Sequence, residues 1–497
     1  MRFVKGSDPL TWQFAAVSAI AMVAVVAGCA QPSSPAAATP AQSNAAAVAA
    51  PAVLQSLAPA DLDAFISRTV VEQKAIGVTV GVMQDGKVIF NKGYGLANVE
   101  RQTPVTTDTI FAIGSVTKQF TCAIALQLEE EGKLSFSDKV SRYRADTFGH
   151  VNEITLRDLG NHVSGYRDYY PLDFVDRPMA KDTPPEQILT TFTNMPLDFT
   201  PGSRYSYSNT GYLMLGHVAE RVARKPFAQL LQERILTPLG MKNTRFDPVR
   251  GEAGLADGYT PMGLGPAELS VPEGVGWIGA AGGLWTTPAD LLTWDLALME
   301  GKVLQPASWK TMTTPRELTG GRSSAYGCGQ SIRDRGPMLV LTHGGGVSGF
   351  GSRNAMIPET RSAVVVIANS DWAAGVLDTI QDAVLGKLLP VADAPKIAGL
   401  PAKDAALALL REIRSGTVDR SKLGAEYDAF LTPARLQAMS KSLVDAGEIG
   451  SVEPGGISER GGLEVSTLRV TVGTTPIRTL MYRAPDGKIE EFLFNRR

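Results

Sequence analysis

A serine and a lysine three residues apart, Ser115 and Lys118 in Phe111-Ala-Ile-Gly-Ser-Val-Thr-Lys-Gln-Phe120, are the first pair in this chain whose types and spacing could do chemistry. An apolar lead-in runs through Gly114, and apolar residues recur at Val116, Phe120, Ile124 and Leu128 before Gly132, which predicts an amphipathic helix opening at Ser115. Positions i and i+3 share one helix face, so the Lys118 ammonium is placed to reach the Ser115 hydroxyl. Unpaired N–H groups and the positive dipole end of the first turn favour negative charge there, as an attacking alkoxide and an oxyanion require. Taken alone, the S-x-x-K pattern also describes an N-capped surface helix, and about one such match is expected by chance in a chain of this length.

Two further segments raise its weight. Pro201-Gly-Ser-Arg-Tyr-Ser-Tyr207-Ser-Asn209-Thr-Gly-Tyr212 leads into a helical pattern carrying Leu213, Leu215, Val218 and Val222. Of the twelve tyrosines, Tyr207 alone is followed by any residue and then Asn. A phenol beside an ammonium is stabilised as phenolate, which would let Tyr207 act as a general base toward a serine hydroxyl. Asn209 brings a donor and an acceptor, suited to holding the lysine and a substrate carbonyl or amide. The third segment, Thr342-His343-Gly344-Gly345-Gly346-Val-Ser-Gly-Phe350, follows a strand-like run at 338–342, and glycines this dense mark close approach by a ligand or another backbone. A backbone N–H near Gly346 could join that of Ser115 in an oxyanion hole.

In order and kind the three segments resemble the serine β-lactamase and penicillin-binding protein superfamily, and within it the branch of class C β-lactamases, D-alanyl-D-alanine carboxypeptidases and family VIII esterases. Ser115 to Lys118 stands as its S-x-x-K, Tyr207 to Asn209 as its Y-x-N, and His343 to Gly345 where K-T-G would be. Thr155-Leu-Arg-Asp-Leu159 with His162-Val-Ser-Gly165, and Ala280-Ala-Gly-Gly-Leu284, are similar to further phrases of the family, and the resemblance covers roughly residues 60 to 390. It implies an α+β, β-lactamase/transpeptidase-like fold and acyl transfer through a serine ester. Ser115, Lys118 and Tyr207 would be catalytic, Asn209, His343 and Gly345 would bind substrate, Ser115 and Gly346 would form the oxyanion hole, and no metal or cofactor would be needed. The departure at K-T-G matters, because His343 has an ordinary pKa near 6.5 and would be only partly charged at neutral pH, while Gly344 has no hydroxyl for a substrate carboxylate. Ester or amide/peptide hydrolysis therefore ranks first. A β-lactamase or D-alanyl-D-alanine carboxypeptidase is the alternative, and a binding or sensor module without turnover is the second.

The elements that must position these segments are partly visible. A helix is expected near 61–73, then a hairpin of strands 77–83 and 87–94 around Asp85-Gly86. Strand-like runs return at 338–342, 352–357 and 363–368, with mostly helical sequence between, such as 210–223 and 288–299. The economical arrangement is a mainly antiparallel sheet built from both ends of residues 61–390, flanked by helices, with a helical subdomain beside it and the active site between. Residues 391–403 read as a linker, and 404–497 as a small α+β accessory domain, with helical patterns at 402–415 and 433–446 and strands at 463–472, 477–483 and 489–494.

At the front, Arg2 and Lys5 precede an uncharged, mostly apolar run at 14–28, which predicts an export signal over residues 1–29. Val26-Ala27-Gly28-Cys29 resembles a bacterial lipobox, which implies lipid attachment at Cys29 and a membrane-anchored protein facing the periplasm, Ala30 being compatible with outer-membrane sorting. Residues 30–60 carry no charge and are rich in Ala, Pro, Ser and Gln, a tether rather than a core. With 48 Lys plus Arg against 50 Asp plus Glu, the charge gives no case for nucleic acid as a partner. The four histidines and three cysteines show no metal-ligand spacing. Cys122 and Cys328 are expected to be free thiols.

Overall fold

The computed structural model describes residues 53–144, 153–172, 174–261, 266–335, 338–389, 397–460 and 462–496. The expected leader with Cys29, most of the tether, and residues 391–396 of the expected linker lie outside them. In chain order the strands are β1 (Gly77–Gln84), β2 (Lys87–Asn98), β3 (Thr103–Pro104), β4 (Phe111–Ala112), β5 (Arg245–Phe246), β6 (Tyr259–Pro261), β7 (Ala267–Leu269) and β8 (Leu284–Thr286). They continue with β9 (Ser331–Arg335), β10 (Met338–Val347), β11 (Phe350–Ile357), β12 (Ser362–Ala368), β13 (Ile449–Arg460), β14 (Leu463–Val472), β15 (Thr475–Arg483) and β16 (Ile489–Arg496).

A seven-stranded sheet in the order β3-β2-β1-β12-β11-β10-β9 joins the two ends of the larger unit, and every pairing in it is antiparallel. Asp85 and Gly86, both at positive φ (50° and 76°), close the β1–β2 hairpin as a two-residue turn whose twist matches its strands. β12 reads Ser-Ala-Val-Val-Val-Ile-Ala and is buried throughout. Alternate strand residues face opposite ways, so an unbroken apolar run is what a strand covered on both faces needs. Val364 and Val366 pack with Leu62, Ile66, Ile380 and Val384 from helices Pro59–Glu72 and Ala374–Leu388. Val365 and Ile367 lie in the other core, with Phe120 of helix Thr117–Glu130 and with Leu291 and Leu292 of helix Pro288–Met299. The α+β, β-lactamase/transpeptidase-like expectation holds, with helices on both sides of the sheet.

Two details differ at the serine. Helix Thr117–Glu130 is buried from Thr117 through Leu126 rather than amphipathic, with Phe120 stacked on Trp294 at 4.0 Å. It also begins two residues late, after a 3₁₀ turn at Gly114–Val116. The cause is Gly114, held at φ 50° so close to β10 that a Cβ there would lie 2.8 Å from the Gly346 nitrogen. Only glycine fits, and the tight turn sets Ser115 against β10. β4, β8 and β5 form a small sheet beside this turn, and β6 pairs with β7.

The C-terminal elements form a four-stranded antiparallel sheet, β13-β14-β15-β16, with helices Ala402–Ser415, Ala425–Phe430 and Pro433–Ala446. They have their own core, which includes Leu409, Ile413, Leu443, Val470, Met481 and Phe492. β13 and β9 went unpredicted. Both are edge strands: β13 contains Pro454, Gly455 and Gly456, and β9 reads Ser-Ile-Arg-Asp-Arg, compositions an edge tolerates and a central strand does not.

Candidate active site

Lys118 is fully buried where the first two segments meet. Its Nζ lies 2.9 Å from Ser115 Oγ, 2.8 Å from Asn209 Oδ1 and 2.7 Å from the Ala281 carbonyl. Burial drives its pKa down to about 7, against an opposing pull from Asp168. A neutral amine has two N–H donors and one lone pair. Two of its neighbours can only accept, so in the neutral form the N–H groups belong to Asn209 and Ala281 and the lone pair faces Ser115, whereas the ammonium donates to all three. The orientation of Asn209 is set by its surroundings, because its Nδ2 donates to Asp168 Oδ2 at 3.1 Å and its backbone N–H to Asp168 Oδ1 at 3.0 Å. Asp168 escaped the sequence reading: it is one aspartate in a loop, and nothing in its neighbours along the chain marks it.

Tyr207 also reaches the lysine, with Lys118 Nζ 4.8 Å from its ring centroid. Its hydroxyl is buried near Ser115 without a partner of full hydrogen-bond geometry. The expected phenolate is corrected here, since burial pushes the phenol well above its ordinary range and the Ser115 hydroxyl opposes this only in part. Desolvation exceeds the help of a neighbouring amine that is itself poorly charged. His162, at φ 57°, packs at a tilt against Tyr207, ring centres 4.1 Å apart, and accepts the Ser208 N–H at Nδ1, 3.0 Å away. Burial holds it neutral, within a ring of Tyr205, Tyr207, Tyr212 and Tyr326.

The third segment is the distal half of β10. β9 pairs with β10 only as far as Thr342, and residues 113–115 lie beside the remainder. A Cβ on Gly345 would fall 1.9 Å from the Ile113 carbonyl oxygen, so the two backbones touch there. Val347 pairs with Phe350 across a two-residue turn, and alternation along the ladder then turns the Gly346 N–H away from β11, toward Gly114 and Ser115. His343 is 7% exposed, and burial with the nearby Lys118 brings its pKa down to about 3. The partly charged imidazole expected at neutral pH is therefore corrected to a neutral one. Its nitrogens are taken by the Tyr326 hydroxyl (2.8 Å) and the Gly344 carbonyl (2.6 Å). Arg353, opposite Gly344 in the ladder, is tied to Asp378 at 2.6 Å.

Cys122 and Cys328 form a disulfide, which overturns the expectation of free thiols. Cys122 follows Lys118 by one helical turn, and Cys328 belongs to the segment that also carries Tyr326. They stand 206 positions apart in the sequence, and only the fold shows that they meet. Among the described residues no cluster of His, Cys, Asp or Glu could hold a metal ion.

Comparison with known proteins gives the family. Residues 62–385 match the family model Beta-lactamase. The chain belongs to the beta-lactamase family. This beta-lactamase family member is 28% identical over 328 residues to the D-aminopeptidase of Brucella anthropi, a match covering 63% of the chain and 60% of that protein. It is 26% identical to penicillin-binding protein 4* of Bacillus subtilis, covering 66% of the chain and 76% of the relative. Among solved structures, the octameric penicillin-binding protein homologue from Pyrococcus abyssi shares its fold with a TM-score of 0.59 at 23% identity, over 88% of this chain and 96% of that one.

Proposed function

We propose that the chain is an exported serine hydrolase that cleaves amide, peptide or ester bonds through an acyl-Ser115 intermediate. The observation that carries this reading is the placement of Lys118 Nζ, 2.9 Å from Ser115 Oγ with its other directions occupied by acceptors. Ser115 Oγ attacks the carbonyl carbon as its proton passes to Lys118 Nζ. The N–H groups of Ser115 and Gly346 hold the oxyanion. The bond to the leaving nitrogen or oxygen then breaks, that atom taking the Tyr207 hydroxyl proton, which Lys118 replaces. Water attacks the ester along the same proton path and releases the acid and free Ser115.

The substrate end of the cleft supports amides and esters over β-lactams and D-alanyl-D-alanine peptides. His343 is neutral, position 344 is a glycine and Arg353 is paired with Asp378, so the K-T-G position offers no charged side chain to a substrate carboxylate, and a missing charged hydrogen bond costs about 1.5–3 kcal/mol. The relatives named D-aminopeptidase point to amides of amino acids or short peptides. The decisive experiment labels Ser115 with a fluorophosphonate and compares kcat/KM for a D-amino-acid anilide, a short-chain p-nitrophenyl ester and nitrocefin. The ester or anilide is expected to lead nitrocefin by about tenfold or more. Nitrocefin leading would favour the β-lactamase alternative, and a stable adduct without product release the binding or sensor module.

Export rests on residues 1–29 and the lipobox-like Cys29, and the disulfide supports it, since such bonds persist in oxidising compartments. Metabolic labelling with an alkyne fatty acid tests it: Cys29→Ala is expected to abolish labelling and release the protein from membranes. Unlabelled wild-type protein would sink the lipid anchor.

A further inference from the structure

His343 touches two groups of unlike character. The Gly344 carbonyl, 2.6 Å from Nδ1, can only accept, so the proton sits on Nδ1. Nε2 therefore carries a lone pair, and the Tyr326 hydroxyl 2.8 Å away must donate to it. The neighbouring Tyr212 hydroxyl, which also interacts with Tyr326, gives its own proton to the Gly160 carbonyl (2.6 Å) and receives the Gly329 N–H (2.6 Å), so it has no proton to offer Tyr326. The donors thus run one way, from Tyr326 through the imidazole to the backbone of the strand that carries Gly346.

Tyr326 is itself held on several sides. Its ring packs on His162 at 4.7 Å and Tyr205 at 5.8 Å, and its carbonyl accepts Asn161 Nδ2 at 3.0 Å and Ser324 Oγ at 3.0 Å. Two residues on, Cys328 is bonded to Cys122 on the helix that bears Lys118. A ring of bonds therefore passes from that helix through the disulfide, Tyr326 and His343 to β10.

We propose that Tyr326 is a positioning residue: by donating to Nε2 of the Nδ1–H imidazole it anchors the His343 ring, and through it the 344–346 backbone with the Gly346 N–H, in place opposite Ser115, while the Cys122–Cys328 bond sets where Tyr326 stands. The role of Gly346 in this statement rests on the hydrolase reading above. The direction of the hydrogen bonds does not.

Two readouts on the full-length protein test it. With imidazole ¹⁵N labelling, the four histidines give few signals, and His343→Gln assigns the one of interest. The expected spectrum shows an Nδ1–H, Nε2-unprotonated ring that does not titrate between pH 5 and 8, although Tyr326, Tyr207, Lys118 and Arg353 all face it. Tyr326→Phe keeps the ring packing and removes the donor. It is expected to leave the proton on Nδ1, to shift the Nε2 resonance as its donor is lost, and to lower kcat roughly tenfold, with KM changed less than about threefold. The variant lacking both cysteines, Cys122→Ala with Cys328→Ala, should show the same kcat-weighted loss. An Nε2–H ring in the wild type, or Tyr326→Phe turnover within about twofold of wild type, would overturn the proposal. A wild type that neither labels nor turns over would fell the hydrolase reading alone, and the tautomer spectrum would still decide the hydrogen-bond direction.

Discussion

At the scale of single residues the chemistry turns on how burial divides protons between Lys118 and Tyr207. Burial brings the lysine down to about 7 and lifts the phenol, so the amine is the base and the phenol stays protonated. The neutral amine prevails above its pKa, so kcat/KM on a neutral ester should rise with pH through about 7 and level off above it. A profile flat from pH 5 to 9 would contradict Lys118 as the base. Asp168 acts one step back, holding Asn209 through two hydrogen bonds of 3.0 and 3.1 Å. Asp168→Ala frees the amide to turn its NH₂ toward Lys118, and kcat should fall roughly 10–100-fold in steady-state assays without loss of fold. Ser115, Lys118, Tyr207 and Asn209 stood out in the sequence because each sits in a recognisable local pattern. Asp168 did not, and the ionisation of Tyr207 was misjudged, because burial is a property of packing that no spacing encodes.

At the scale of elements, two adjacent glycines should behave oppositely. A Cβ on Gly345 would meet the Ile113 carbonyl oxygen at 1.9 Å, whereas one on Gly346 meets nothing within 4 Å. Gly345→Ala must push β10 away from the Ser115 turn, at a cost of about 3 kcal/mol, with most fluorophosphonate labelling lost. Gly346→Ala should leave stability within about 0.5 kcal/mol of wild type. Urea unfolding of both variants checks the contrast, and equal midpoints would show that the two backbones do not touch as described. The central strands were legible for a related reason: β12 is buried on both faces and continuously apolar, β1 is nearly so but for Thr79 and Gln84, and Asp85-Gly86 announces its turn. β9 and β13 lacked that constraint on one edge, and their charged, proline- and glycine-containing sequences gave no strand signal.

At the scale of the whole molecule, one covalent link spans much of the larger unit. The Cys122–Cys328 bond closes a loop of residues 206 apart, so reduction should lower stability by about 2–5 kcal/mol through the freedom restored to the unfolded chain. Guanidinium midpoints with and without reductant measure this, and coincident curves would rule it out. That pairing was beyond sequence reading because two cysteines so far apart carry no mutual signal. The same bond has a consequence for proteolytic damage. Tyr207 and Asn209 lie inside the closed loop, while Ser115, Lys118 and His343 lie outside it, so a cut anywhere between the two cysteines leaves the fragments joined. Such a clipped molecule would migrate as one species on a non-reducing gel and as two after reduction.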